Sequence, residues 1–317
     1  MTRPRESVLV LFPGALGDFL CFLPALCGLR ARHRGTLTLV AKPTLLELIE
    51  LPDIGTASID GREVADLFAS DTDVAPATAT RFGHFDFAYS WTGFASDGFA
   101  NRLRHVAGGT THVFAFRATQ PGEHAVDYYA RCIGVPATLP APAPIHYDGG
   151  WLAPFRRRHD LVNRPFVVMH PGSGSAKKNW LGFAALAQRW LDCRDDAVLW
   201  LQGPSENHLD LPRGVIPVDG LTLPQVAAAL RVTALYLGND SGISHLAGVV
   251  GAPGVVLFGA TDAATWAPRS ARLRVLQGRA DCSQCAPNVF CTHRLPVDVV
   301  WQALATQPAN PPHSTEA

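Results

Sequence analysis

Residues 165–180, PFVVMHPGSGSAKKNW, hold the densest set of groups in the chain that could bind an anion. The apolar run Phe166 to Met169 predicts a strand. Pro171, Gly172, Ser173 and Gly174 break that run, and a helical pattern begins near Trp180. Backbone N–H groups at a helix start lack partners and lie at the positive end of its dipole, so they favour negative charge. Gly172 and Gly174 admit close backbone approach, Ser173 and Ser175 offer hydroxyls, and Lys177 or Lys178 can bring a full charge. The spacing is not the GxxxxGK[ST] of a P-loop, and an ordinary strand-to-helix turn with solvated lysines fits it equally well.

A second polar cluster, NDSGISHLAG at 239–248, follows the apolar run ALYLG. Asp240 or Ser241 is placed to cap a helix, Gly242 adds a backbone N–H, and His245 lies one turn above Ser241 on the same face. A well-capped helix with a satisfied histidine is the alternative. Asp18 sits at the turn between the run SVLVLF and the helix after it, where a carboxylate serves either as a cap or as a group facing a ligand. Gly203 and Glu206 in GPSENH, and the turn GATD at 259–262, fall at two more strand ends. Arg102, Arg104 and Arg117 could meet an anionic acceptor, although surface arginines usually do nothing so specific.

The elements that must carry these residues alternate. In the first half, apolar runs at 7–12, 36–41, 54–59, 85–91 and HVFAF at 112–116 are strands, separated by a loop and helix within 13–32 and by helices around 43–50, 61–69 and 122–133. Phe19, Phe22, Leu23, Leu26 and Leu29 recur at helical spacing, giving the first helix a core face. Four prolines in PATLPAPAPIH, 136–146, read as a stiff linker. The second half restarts with strands at 165–170, 197–203, 215–220, 234–240 and 254–258, and Thr222 with Pro224 marks one helix start. Repeated β-then-α predicts α/β architecture with two doubly wound, Rossmann-like domains, 1–150 and 151–317.

Composition limits the partners. With 27 basic and 27 acidic residues in 317, the formal charge is zero, so there is no whole-protein field to gather nucleic acid or anionic lipid. The apolar segment 8–29 is interrupted by Pro13, Gly14, Asp18 and Pro24 and does not read as a membrane span, and MTRPRES lacks the apolar core of a signal peptide. A cytoplasmic protein is the expectation. Seven cysteines fit reduced thiols better than a disulfide framework.

Taken together, LGD at 16–18, HPGSGSAKKNW at 170–180 and GNDSGISHLAGVVGAPGVVLFGATD at 238–262 resemble glycosyltransferase family 9, the ADP-heptose:lipopolysaccharide heptosyltransferases. The resemblance implies a GT-B fold, in which two Rossmann-like domains face each other across a cleft, the first binding the acceptor and the second the nucleotide sugar. It also implies that a helix at 295–305 returns to the first domain. The implied reaction is metal-independent, inverting transfer of heptose from ADP-L-glycero-D-manno-heptose to a hydroxyl of a lipopolysaccharide core sugar. Asp18 matches the family's catalytic aspartate, which moves its reading from cap to general base. Ser173, Gly174 and Lys178 match phosphate-contacting positions. Asp240, Ser241, Gly242 and His245 match the grip on diphosphate and sugar, with Ser241 where the family usually has threonine. Glu206 falls near the family's ribose-contacting glutamate in a looser alignment. The partners implied are a nucleotide sugar and a glycolipid acceptor, with no nucleic acid and at most peripheral contact with the inner face of the cytoplasmic membrane.

Two features depart from the pattern. FPGALGD lacks the basic residue and serines that lipopolysaccharide enzymes tend to carry ahead of GD, so a different donor or a non-lipopolysaccharide acceptor such as a protein stays open, as does binding of a nucleotide sugar without catalysis. CSQCAPNVFCTH supplies Cys282, Cys285, Cys291 and His293, ligand types for a structural metal in a loop shorter than usual zinc spacings. Free thiols packing the loop are the alternative.

Overall fold

The computed structural model describes residues 6–69, 74–203, 211–278, 291–292 and 295–311. The chain forms two compact units, Met1–Pro144 and Ile145–Ala317, and the division falls inside the proline-rich segment 136–146.

In the first unit β1 (Val8–Leu11), β2 (Leu37–Ala41), β3 (Ile54–Ser58), β4 (Phe85–Ser90) and β5 (Gly108–Val113) make one sheet in the order β3-β2-β1-β4-β5. Every pairing in it is parallel. Parallel neighbours need crossovers, which is why helices separate the strands. All four residues of β1 are buried, as expected of a central strand covered on both faces. The helix Leu16–Arg32 buries Phe19, Phe22, Leu23, Leu26 and Leu29, the face its spacing predicts. The last strand lies earlier than HVFAF. The helix Asp97–Ala107 ends on Gly108 at φ 77, and the chain enters the sheet there, with Gly108 opposite Phe85.

The second unit has β6 (Phe166–His170), β7 (Ala197–Leu201), β8 (Ile216–Val218), β9 (Leu235–Asn239), β10 (Gly254–Phe258) and β11 (Leu273–Gln277), in the order β11-β10-β9-β6-β7-β8. The register is again parallel throughout. β11 was not anticipated, because as an edge strand it buries little beyond Leu273 and so lacks a continuous apolar run. The terminal helix Val297–Ala305 places Val300, Ala303 and Leu304 in the second unit's core beside Phe183, Leu186 and Trp190. Among the described residues no helix is long and apolar enough to cross a membrane.

Each strand order has one place where the chain's direction of travel reverses, between β1 and β4 in the first sheet and between β6 and β9 in the second. A crevice opens at the carboxyl ends of strands where their crossovers diverge, and ligands of open α/β sheets bind there. Asp18 follows β1, the lysine loop follows β6, and Asp240 follows β9.

Candidate active site

Asp18 lies in the first turn of the helix Leu16–Arg32 and is 5% exposed. Its Oδ2 accepts the Ala15 backbone N–H at 3.3 Å, so it does cap the helix. A second set of bonds exceeds what a cap needs. Arg117 Nε donates to Oδ1 at 2.7 Å and Nη2 to Oδ2 at 2.6 Å, a side-on bidentate pair between residues 99 apart. The bonds to Asp18 push the Arg117 pKa further up. Gly14 is required by close approach, since a Cβ there would stand 2.7 Å from Asp18 Cβ and 2.4 Å from the Phe12 ring.

The residues that aim Arg117 are local. Its φ of 59° lies in the left-handed region, which costs a residue with a Cβ about 1 kcal/mol. Tyr128 Oη donates to the Ala115 carbonyl, pinning the loop after β5 to the helix Ala125–Ile133, and the guanidinium lies 5.0 Å over the Phe116 ring. Beneath the pair, Phe12, Phe22, Trp91 and Tyr129 make edge-to-face and stacked contacts. Arg102 and Arg104 are used elsewhere. Arg102 donates to the carbonyls of Leu67 and Ala69, and Arg104 to Asn101 Oδ1 at 3.0 Å.

Tyr129 Oη is buried and has no hydrogen-bond partner among the described residues. Burial, and then the charge of Asp18, push its pKa up, so the phenol stays neutral. An orphaned buried hydroxyl is a net cost. Tyr129→Phe is therefore expected to raise stability by about 1 kcal/mol in a denaturant titration; a loss of that size would mean the hydroxyl makes a bond worth keeping.

In the second unit Lys178 Nζ donates to Asp240 Oδ2 at 2.6 Å across 62 residues of sequence. The lysine side chain is 27% exposed and the carboxylate 7%, so the charge that reaches solvent is the positive one. Thr261 Oγ1 donates to the same Asp240 oxygen, which ties the turn after β10 into the cluster. With Asp240 occupied in this way, the cap falls to Ser241, whose Oγ accepts the Ser244 N–H at 3.3 Å. Gly242 opens the helix Gly242–Val249, and His245 is buried one turn along it. His170, at the end of β6, brings Nδ1 to 3.4 Å from Ser241 Oγ.

The loop between β6 and the helix Phe183–Cys193 is held by a residue that the sequence reading passed over. Asn239 is fully buried at the end of β9; its Oδ1 accepts the Trp180 N–H at 3.1 Å and its Nδ2 donates to the Pro171 carbonyl at 2.6 Å. One side chain thus staples both ends of the loop. The available signal was an amide closing an otherwise apolar strand, ALYLGN. Between those staples a Cβ on Gly174 would meet nothing within 4 Å, so the loop is open where a ligand would approach. The Ser173 hydroxyl sits 2.6 Å from both the Ser175 carbonyl and Asn179 Oδ1 and accepts the Ser175 N–H at 3.2 Å, so these groups are bonded within the loop. Glu206 lies outside the described residues, as do Cys282, Cys285 and His293 of the proposed metal cluster; Cys291 is a buried free thiol.

A family model described as glycosyltransferase family 9 (heptosyltransferase) matches residues 118–291, more than half of the chain. The chain belongs to glycosyltransferase family 9. The family segment contains the whole Lys178–Asp240–Thr261 cluster, together with Arg117's neighbour Ala118 at its start. A curated relative, lipopolysaccharide heptosyltransferase 3 of Escherichia coli, is 32% identical over 124 residues, covering 35% of this chain and 36% of that protein. The match thus spans about a third of the curated relative's length. A solved family 9 glycosyl transferase from Veillonella parvula DSM 2008 superposes with a TM-score of 0.73 at 19% identity, covering 96% of this chain and 97% of that one. E. coli ADP-heptose lps heptosyltransferase II gives 0.69 at 18% identity, covering 94% and 97%. At such identities these likenesses speak for fold, and they give the family 9 chain the GT-B class expected from its motifs.

Proposed function

We propose that this family 9 chain transfers heptose from ADP-L-glycero-D-manno-heptose to a hydroxyl of a lipopolysaccharide core sugar, with inversion and without a metal in the chemistry. The observation that carries the reading is the Lys178–Asp240–Thr261 cluster beside an open, glycine-bearing loop at a switch point of the second sheet. Support for the donor comes from the relatives, one named a lipopolysaccharide heptosyltransferase and one an ADP-heptose lps heptosyltransferase.

Mechanistically, the acceptor oxygen bonds to the anomeric carbon while the bond from that carbon to the β-phosphate oxygen breaks on the opposite face. The acceptor's proton passes to Asp18, the only role in the step that needs a base. Negative charge grows on the leaving ADP, and Lys178 with the backbone N–H groups of residues 172–174 and 242 meets it. Asp240 and Thr261 hold Lys178 in place, and Ser241 and His245 lie along the same helix start to fix the sugar and diphosphate. The acceptor is a glycolipid, met in peripheral contact with the inner face of the cytoplasmic membrane.

Titration calorimetry with ADP, UDP and GDP tests the donor. ADP is expected to bind at least about tenfold more tightly than the other two, a difference near 1.4 kcal/mol. A preference for UDP or GDP overturns the ADP-heptose assignment. Mass spectrometry of acceptors incubated with donor should then show the addition of one heptosyl residue.

A further inference from the structure

We propose that Arg117 is a positioning residue that covers Asp18 until an anionic group on the acceptor draws its guanidinium away. The inference rests on the reading of Asp18 as the base. A carboxylate has about four lone-pair positions. Arg117 takes one on each oxygen and the Ala15 N–H a third, so an incoming hydroxyl finds at most one position, on a side chain that is 5% exposed. The covering partner is the accessible one, for the Arg117 side chain is 52% exposed. It reaches Asp18 from a loop held by Tyr128 and from a left-handed backbone, so it is aimed rather than adventitious.

An arginine fork is released most readily to a group that accepts the same two parallel N–H bonds, and phosphate and carboxylate do so. The acceptors that fit therefore carry one of these anions close to the reacting hydroxyl. Water carries none, so a donor bound without acceptor meets a covered base and escapes hydrolysis.

The test uses the full chain, labelled donor, and Arg117→Gln and Arg117→Lys variants, with ADP affinity as the measure that the second unit is intact. Arg117→Gln is expected to raise acceptor-free donor hydrolysis about tenfold and to lower transfer to an acidic acceptor about tenfold, chiefly through KM. Arg117→Lys, which keeps the charge without the fork, falls between the two. Acidic acceptors bearing a sugar carboxylate or a phosphate ester, each against its neutral counterpart, identify which anion is used: wild type favours the charged member and Arg117→Gln does not. Hydrolysis unchanged in Arg117→Gln, or hydrolysis and transfer lost together with ADP affinity intact, overturns the proposal, the latter because Arg117 would then orient the base instead of covering it. Asp18→Asn in the same assay separates the two claims: if it keeps transferring, the base assignment itself fails, whatever Arg117 does.

Discussion

Asp18→Asn is expected to abolish transfer, lowering kcat by a factor of about 10²–10⁴, while ADP binds as it does to the native chain. Asparagine has nearly the volume of aspartate, so the tight approach of Gly14 to this side chain is undisturbed. Its amide oxygen can still accept one arm of Arg117. Its amide nitrogen can accept neither the other arm nor the Ala15 N–H, and it cannot take a proton from a hydroxyl. The fold should tolerate the change, because the arginine left half-paired is half exposed and can turn to water. ADP affinity is expected to hold because the lysine, Asp240 and Thr261 cluster belongs to the second unit. Steady-state turnover of labelled donor beside calorimetric ADP binding reads both quantities. Turnover within a few-fold of native would remove Asp18 from the mechanism.

Lys178→Ala should weaken ADP binding by about 2–4 kcal/mol, a loss of roughly 30- to 1,000-fold. Two costs coincide. The diphosphate loses its cation, and Asp240, 7% exposed, is left as a buried carboxylate facing the site, answered among the described residues by the Thr261 hydroxyl. The second cost also appears without ligand. Breaking a buried pair by removing one member usually costs more than removing both, so Lys178→Ala should unfold at lower denaturant than Lys178→Ala with Asp240→Ala. The partial exposure of the lysine reduces the difference to about 1–2 kcal/mol. ADP affinity should not return in the double variant, since the cation is still missing. A double variant less stable than the single would show that Asp240 contributes more through its other bonds, that from Thr261 among them, than its unpaired charge costs.

Much of the fold was legible because a buried parallel strand requires an uninterrupted apolar run. Val8–Leu11, Phe166–His170 and Gly254–Phe258 are such runs, and each was placed to within two residues. The polar loops at their ends were legible for a related reason: a parallel sheet collects all its carboxyl ends on one edge, so Asp18, Lys178 and Asp240 could be singled out one by one. Edge strand Leu273–Gln277 and the helix Asp97–Ala107 were missed. An amphipathic pattern states that a face must be buried without naming what buries it.

Residue types and strand ends were thus determined by sequence alone: a carboxylate after β1, lysines after β6, and an acid, a serine and a histidine after β9. Partnership was decided only in three dimensions. Asp18 meets Arg117 across 99 residues, Lys178 meets Asp240 across 62, and Asn239 ties down the loop that it never adjoins in sequence. Propensity and periodicity act over a few residues, whereas a charge finds its partner only after strand order and loop geometry have brought distant segments within about 3 Å.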